Sequence, residues 1–338
     1  MIHLRIVAPE DVAHQALELL TAAPSVLNIV HLHGAATKPD GDVILCDVAR
    51  EDASVIIGDL KELEIHKSGS IAVEHIDTSI SEAAIAAEKA APGLPSDAVV
   101  WEEVEGRTSE DTELSFSFVL FMIAAMQIAA VGIILDQPIL IVGAMVVGPE
   151  FGPLAGLCVA LVNRQGRLAR RSLRALAVGF PIGIALAFLT TVIMIAVDVF
   201  PEDFSQSGHP FTRFISNPDF LSFFVAFVAG AAGMLSLTSA KSGALVGVLI
   251  SVTTIPAASN IGVAAAYGDW SDALGAVLQL GLNLGGIVLA GVVTLFIQRR
   301  WYVIRRRKHL RDPARSAAGL PVGRSARKAH GAREPERG

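Results

Sequence analysis

The apolar positions of the chain concentrate in its second half, where they form six long stretches separated by polar breaks. A helix needs roughly 17–25 apolar residues to cross the hydrocarbon core of a bilayer. The six candidate spans are residues 116–135, 138–162, 173–197, 220–237, 243–266 and 273–297. This pattern predicts an α-helical polytopic membrane protein.

The first 80 residues follow a different pattern, in which strand-like alternation and helical spacing succeed each other. Strands are predicted at 2–7, 26–33, 42–48 and 70–76, with helices at 9–22 and 51–63. The order βαββαβ is that of an α+β, ferredoxin-like unit. Such a unit often binds a small ligand, although a fold by itself does not define a function.

Charge divides the chain into zones. Residues 1–115 carry 22 acidic and 7 basic side chains, a net charge of −15, whereas residues 299–338 carry 13 basic and 3 acidic ones, a net charge of +10. The predicted domains are a ferredoxin-like domain at 1–80, an acidic linker or helix at 81–115, the six-span domain at 116–298 and a basic, largely disordered tail at 299–338.

Basic residues also predict the orientation, because loops on the cytosolic side are enriched in lysine and arginine. Five arginines lie between Asn163 and Arg174, and the run from Arg299 to Lys308 is basic as well. These segments and Lys241 are expected in the cytosol, as are both termini. The first thirty residues lack a hydrophobic signal core, so no cleaved signal peptide is expected. We predict a multi-pass protein of the bacterial inner (plasma) membrane.

Two spans are interrupted by proline, at Val142–Gly156 and at Val246–Gly262. With three spans in each half, the halves run in opposite directions, which predicts a 3+3 inverted repeat broken in spans two and five. Matched interruptions of this kind indicate a solute site near the midplane of a transporter. Small residues that permit close helix packing are the alternative explanation.

The polar residues at these breaks are the candidate pathway. An ionisable residue at membrane depth is costly unless it faces protein or water, and Glu150 is predicted to bind a cation or relay a proton. A structural glutamate at a subunit interface is the alternative. The predicted solute or ion pathway consists of Pro149, Glu150, Gly152, Pro153, Pro256, Ser259, Asn260 and Asn283.

Other candidate chemistry is sparse. His31 and His33 share one face of a predicted strand and, with His3, could form a metal or anion site. Polar residues on a solvated sheet face are the favoured explanation, and we predict no metal site. Cys46 is expected in a core, and neither it nor Cys158 is expected to form a disulfide. The arginine-rich tail is typical of an anchor on anionic lipid heads, and no nucleic-acid partner is expected.

The chain resembles a family of bacterial hydrophobic-domain membrane proteins, domain of unknown function 389, over residues 1–80 and 115–300. The resemblance rests on Ile141–Met145, Gly148-Pro149, Gly152-Pro153, Asn217-Pro218, Ala226–Gly233, Gly243–Pro256 and Asn283. It implies an integral bacterial membrane protein with a cytosolic domain and supplies no established activity. Relative to the family, this chain is more polar at Glu150-Phe-Gly and at Pro256-Ala-Ala-Ser-Asn260, which predicts a different solute.

These observations favour a homo-oligomeric channel or secondary transporter for a small solute or ion, with the amino-terminal domain gating it or sensing a small cytosolic ligand. No phosphate-cradling loop is present, and no cofactor is expected. The alternative is a membrane-anchored sensor or scaffold whose small domain binds a metabolite or nucleotide without transport. An enzyme is not predicted, because the spans lack a nucleophile–base or histidine–metal set.

Overall fold

The computed structural model describes residues 1–91, 93, 98–201, 215–239, 247, 250, 252–312, 315 and 318–322. They fall into two compact units, the first from residues 1–104, 238–240 and 298–338, and the second from residues 105–237 and 241–297. Several predictions lie wholly or partly outside the described residues: the polar breaks between the third and fourth spans and around Lys241, the first part of the span at 243–266, and the end of the basic tail at 299–338.

The first unit contains a four-stranded antiparallel sheet in the order β2-β3-β1-β4. Successive side chains of a strand point to opposite faces, and Ile2, Leu4 and Ile6 of the first strand are fully buried. The helices pack on this buried face. The strands are β1 (Ile2–Ala8), β2 (Val26–Thr37), β3 (Asp40–Val48) and β4 (Ser70–His75).

Four helices accompany the sheet in the described residues. Helices α1 and α2 lie where the pattern predicts them between the strands, and the short helix α3 was not predicted. Pro9 precedes the first helix and acidic residues occupy the first turn, both of which favour a helix start. Cys46 is fully buried, as predicted for a core residue. The helices are α1 (Glu10–Ala22), α2 (Arg50–Glu62), α3 (Ile65–Ser68) and α4 (Glu82–Ala90).

The chain then passes through α5 (Trp101–Asp111) into the second unit. Its helices are α6 (Phe116–Ile134), α7 (Pro138–Val147), α8 (Phe151–Asn163), α9 (Gly166–Ala196), α10 (Phe220–Thr238), α11 (Thr254–Ala266) and α12 (Trp270–His309), the last of which continues into the first unit. Within the described residues, four of these helices are long and apolar enough to cross a membrane. The pair α7 and α8, bent by 51°, makes a fifth if it counts as one span.

Two helices extend beyond the predicted spans at their arginine-rich ends. Helix α9 begins at Gly166 instead of 173, and α12 continues to His309 instead of ending at 297. Arginine and lysine are good helix formers, so a polar segment without proline continues the helix after its apolar stretch ends. Hydropathy marks the end of a span and does not mark the end of a helix.

The outer faces of the long helices carry large apolar side chains that are about half exposed, among them Phe121, Leu189, Phe224 and Leu289. Soluble monomers rarely expose contiguous apolar surface of this extent. These faces are compatible with contact to lipid.

Candidate functional site

The predicted break in the second span lies at Gly148, Pro149 and Glu150, between α7 and α8. Proline offers no backbone N–H and obstructs the helix turn before it, which explains why α7 ends at Val147. A side chain at Gly148 would collide with Glu150 and Ile255. The glycine is therefore required for the close approach of the second broken segment.

Helix α11 starts at Thr254 in a manner that matches the start of α8. Pro153 is the third residue of α8 and Pro256 is the third residue of α11. The first N–H groups of a helix have no partner within it, so proline in the first turn loses no hydrogen bond. Both helices thus begin at a proline-marked position, and each presents free amide groups and a partial positive charge at its start.

Glu150 joins these two helix starts. The Thr254 hydroxyl donates a 2.5 Å hydrogen bond to Glu150 Oε1, so the carboxylate reaches across to α11 and does not cap its own helix. Glu150 is only 4% exposed, and Oε2 has no hydrogen-bond partner among the described residues. A small cavity adjoins it, lined by Glu150, Phe151, Leu154, Gly230, Val252, Thr254 and Ile287.

Polar side chains of α12 extend this site. The Asn283 amide donates to Thr253 Oγ1 at 3.1 Å, next to the residue that binds Glu150. Gln279 donates in turn to Asn283 Oδ1 at 3.2 Å, and its own carbonyl oxygen has no partner within the described part of the chain. Asn283 therefore lies near Glu150 and contacts Thr253, the residue before the threonine that binds Glu150.

Three predicted pathway residues lie elsewhere. The Ser259 hydroxyl donates to the Met126 carbonyl of α6 at 2.7 Å, and the Asn260 amide donates to Asp272 at 3.0 Å. Gly152 packs tightly against Asp111 at the end of α5. Residues 259 and 260 lie more than one helical turn beyond the start of α11. The sequence motif shows that they are close along the chain but does not show that they face other helices.

A substitution at Ser259 tests whether this residue stabilises the packing of α11 against α6, as its hydrogen bond indicates, and does not line the pathway. Because its buried hydroxyl bonds a main-chain carbonyl, Ser259→Ala is expected to lower the free energy of unfolding by about 1 kcal/mol. Thermal unfolding of the purified protein in detergent measures this effect. A variant of wild-type stability would show that the Met126 hydrogen bond contributes nothing.

A second group of charged residues lies within the first unit and was not predicted. We call it the Asp59 cluster: Asp59, Glu62, Arg306, His309 and Arg315. Asp59 on α2 is fully buried and pairs with the guanidinium groups of Arg306 and Arg315. His309 Nε2 lies 2.7 Å from Asp59 Oδ2.

Glu62 completes the Asp59 cluster from the next turn of α2. Its two carboxylate oxygens accept from Arg306 at 2.8 Å and from Arg315 at 2.7 Å. Burial raises the pKa of Asp59, but the hydrogen bond from His309 and the arginine charges outweigh it and lower the pKa overall. Arg306 and Arg315, which the sequence placed in a lipid-binding tail, are thus buried against acidic side chains.

The histidines that share a predicted strand face also acquire partners. His31 and His33 both contact Asp42, whereas His3 pairs with Asp47 at 2.7 Å. The strand register puts His3 opposite Asp47 and His31 opposite Ile44, on opposite faces of the sheet. His3 therefore does not join the other two.

In length and composition, the apolar helices described above are compatible with those of a multi-pass membrane protein. Residues 145–289 match the family described as Domain of unknown function (DUF389), which confirms the resemblance over that part of the chain. An uncharacterized protein of Methanocaldococcus jannaschii, MJ0678, is 26% identical over 224 residues, which cover 62% of this chain and 65% of that protein. No solved structure matches the chain.

Proposed function

We propose that this protein is an integral membrane channel or secondary transporter for a small solute or ion, whose path passes the meeting point of α8 and α11. The observation that carries this proposal is the contact between Glu150 and Thr254, with one carboxylate oxygen free of partners among the described residues and next to a cavity. A buried carboxylate oxygen without a partner is costly, and a proton or a cation at Oε2 removes that cost.

The two helix starts support a role for Glu150 in transport. Their partial positive charges favour a carboxylate at this position. The unpartnered Oε2 faces the cavity side of this contact, which suits proton relay or cation binding.

The proposed topology has six spans in a 3+3 inverted repeat, with both termini in the cytosol of a bacterial cell and the protein in its inner membrane. Support comes from the matched proline positions at the starts of α8 and α11. The arginines near the start of α9 and the end of α12 support the orientation. Assembly into a homo-oligomer is part of the same proposal.

The first unit, which contains the amino-terminal sheet, is proposed to be a cytosolic ferredoxin-like domain that gates the path or senses a ligand. Its strand order and antiparallel pairing support this fold. Helix α12 supplies Asn283 to the Glu150 site and, further along, Arg306 and His309 to the Asp59 cluster.

Transport is tested with the purified protein in liposomes that hold an imposed proton or cation gradient. In a background with Cys46→Ala and Cys158→Ala, we expect Val252→Cys to conduct until a water-soluble thiol reagent reaches the cavity and blocks the flux. Leu278→Cys is the control, because its side chain is exposed on the outer apolar surface and its modification leaves flux unchanged.

The outcomes separate the candidate functions. Flux indistinguishable from that of protein-free liposomes, for every ion tried, contradicts the proposal. It then favours a membrane-anchored sensor or scaffold, for which the separate hydrophobic core of the amino-terminal unit is the supporting observation. Flux that the thiol reagent blocks equally at both cysteine positions contradicts the assigned path.

A further inference from the structure

Three side chains with metal-ligand chemistry converge at the hairpin end of the sheet in the first unit. His31 Nε2 lies 2.7 Å from Asp42 Oδ2, and His33 Nδ1 lies 3.1 Å from the same oxygen. One ligand atom from each residue can be chosen such that all three lie within 4.8 Å of one another. Among the described residues, His31, His33 and Asp42 are the group of histidine and carboxylate side chains whose ligand atoms lie this close together.

The backbone explains why these residues meet. His31 is paired with Ile44, and the pairing of β2 and β3 then becomes irregular between Leu32 and Ala36. Residues two apart in a strand lie on the same face, and the register that pairs Leu32 with Val43 brings His33 next to Asp42. The hairpin thereby places two histidines of β2 around one aspartate of β3.

Asp42 is held in place by a main-chain hydrogen bond. The Gly34 amide donates to Asp42 Oδ1 at 2.8 Å, while Oδ2 faces His31 at 2.7 Å. His33 Nδ1 lies 3.2 Å from Oδ1 and 3.1 Å from Oδ2. Main-chain hydrogen bonds that orient a ligand carboxylate are a regular feature of metal sites.

We propose that His31, His33 and Asp42 form a binding site for a divalent transition metal of the zinc class. Two imidazoles and one carboxylate are a ligand set that Zn²⁺ accepts, at distances of about 2.0–2.2 Å. With three protein ligands, a fourth position is open to water or a small ligand. The His33 side chain is 70% exposed whereas that of Asp42 is 3% exposed, so the metal enters from the His33 side.

A hydrogen-bonded cluster that only stabilises the hairpin is the competing explanation. In that case the imidazole N–H groups donate to Asp42 and no metal is retained. The two explanations differ in a direct way: a metal site binds one equivalent of metal per chain through His33, and a hydrogen-bonded cluster does not.

The test is a titration of the full-length, tag-free protein in detergent with Zn²⁺ by calorimetry and with Co²⁺ by visible absorption. We expect one equivalent per chain, with Co²⁺ bands of a nitrogen- and oxygen-ligated site. His33→Ala is expected to weaken the affinity at least about tenfold. His14→Ala is the matched control, because that histidine is similarly exposed, on α1, and its affinity should stay within about twofold of the wild type.

Two results overturn the proposal. The first is the absence of stoichiometric binding by the wild-type protein, which requires no variant. The second is equal affinity in the His33→Ala and His14→Ala proteins, which places any bound metal elsewhere. The Asp42→Asn variant provides a further check. It should abolish the Co²⁺ bands, and an unchanged circular dichroism spectrum shows that the variant is still folded.

Discussion

Replacement of Asp59 with asparagine is expected to destabilise the amino-terminal unit by about 3–5 kcal/mol, the range for breaking a buried ion pair by removing one partner. Asp59 is fully buried, as is Arg315, and Arg306 is only 5% exposed. Asparagine keeps the shape of the side chain and removes its charge. Two buried guanidinium groups then share the single carboxylate of Glu62, which is the physical reason for the large effect.

Thermal unfolding and limited trypsin digestion of the full-length protein measure this effect. We expect a lower Tm and faster cleavage at the arginines near the carboxyl end of α12, because the Asp59 cluster holds that segment against α2. Asp52→Asn is the matched control on the same helix, in a partly exposed position. If both variants unfold and digest alike, the Asp59 cluster does not hold the segment.

The stability difference between the wild type and Asp59→Asn is also expected to depend on pH. The pKa of Asp59 is lower in the folded protein than its ordinary value of 3.8, so its contribution to stability is complete above that value. The contribution is lost as the pH falls from about 3.8 through the folded-state pKa. The difference in unfolding free energy between the wild type and Asp59→Asn should therefore narrow as the pH falls below 3.8. A constant difference down to acid pH would contradict the assignment.

The sequence predicts local structure well here because each element carries its own signal. The alternation of Ile2, Leu4 and Ile6 predicts a strand with one buried face, and the proline at 149 predicts a break. Glu150 could be singled out for a similar reason, since its charge is unusual within an apolar span. Such features depend on neighbours along the chain and not on the tertiary fold.

The partners of these residues could not be predicted, because they come from distant parts of the chain. Thr254 binds Glu150 across 104 positions, and Arg315 binds Asp59 across 256. Asp59 has the appearance of an ordinary polar residue on an amphipathic helix. Only the fold shows that it is buried, and burial with two guanidinium groups is what gives it a large energetic role.

Replacement of Glu150 with glutamine is expected to reduce transport by about 10- to 100-fold, provided that the proposed path is correct. A hydrogen bond to a charged group contributes about 1.5–3 kcal/mol, and each 1.4 kcal/mol is a factor of ten. Glutamine retains the size of the side chain, but its hydrogen bond with Thr254 is no longer charge-assisted, and it can neither take up a proton nor attract a cation. The measurement is the initial rate of flux in liposomes at equal protein content.

The control for this variant is Glu113→Gln in the same unit, because Glu113 is exposed and pairs with Arg171 at the surface. Such a pair contributes about 0–1 kcal/mol, and its flux should match the wild type. Thr254→Val adds a second test: it should lower flux in the wild type and have little further effect in Glu150→Gln, because both changes act on one hydrogen bond. Unchanged flux in Glu150→Gln, in a protein that assembles normally, would remove Glu150 from the path and leave it a structural contact between α8 and α11.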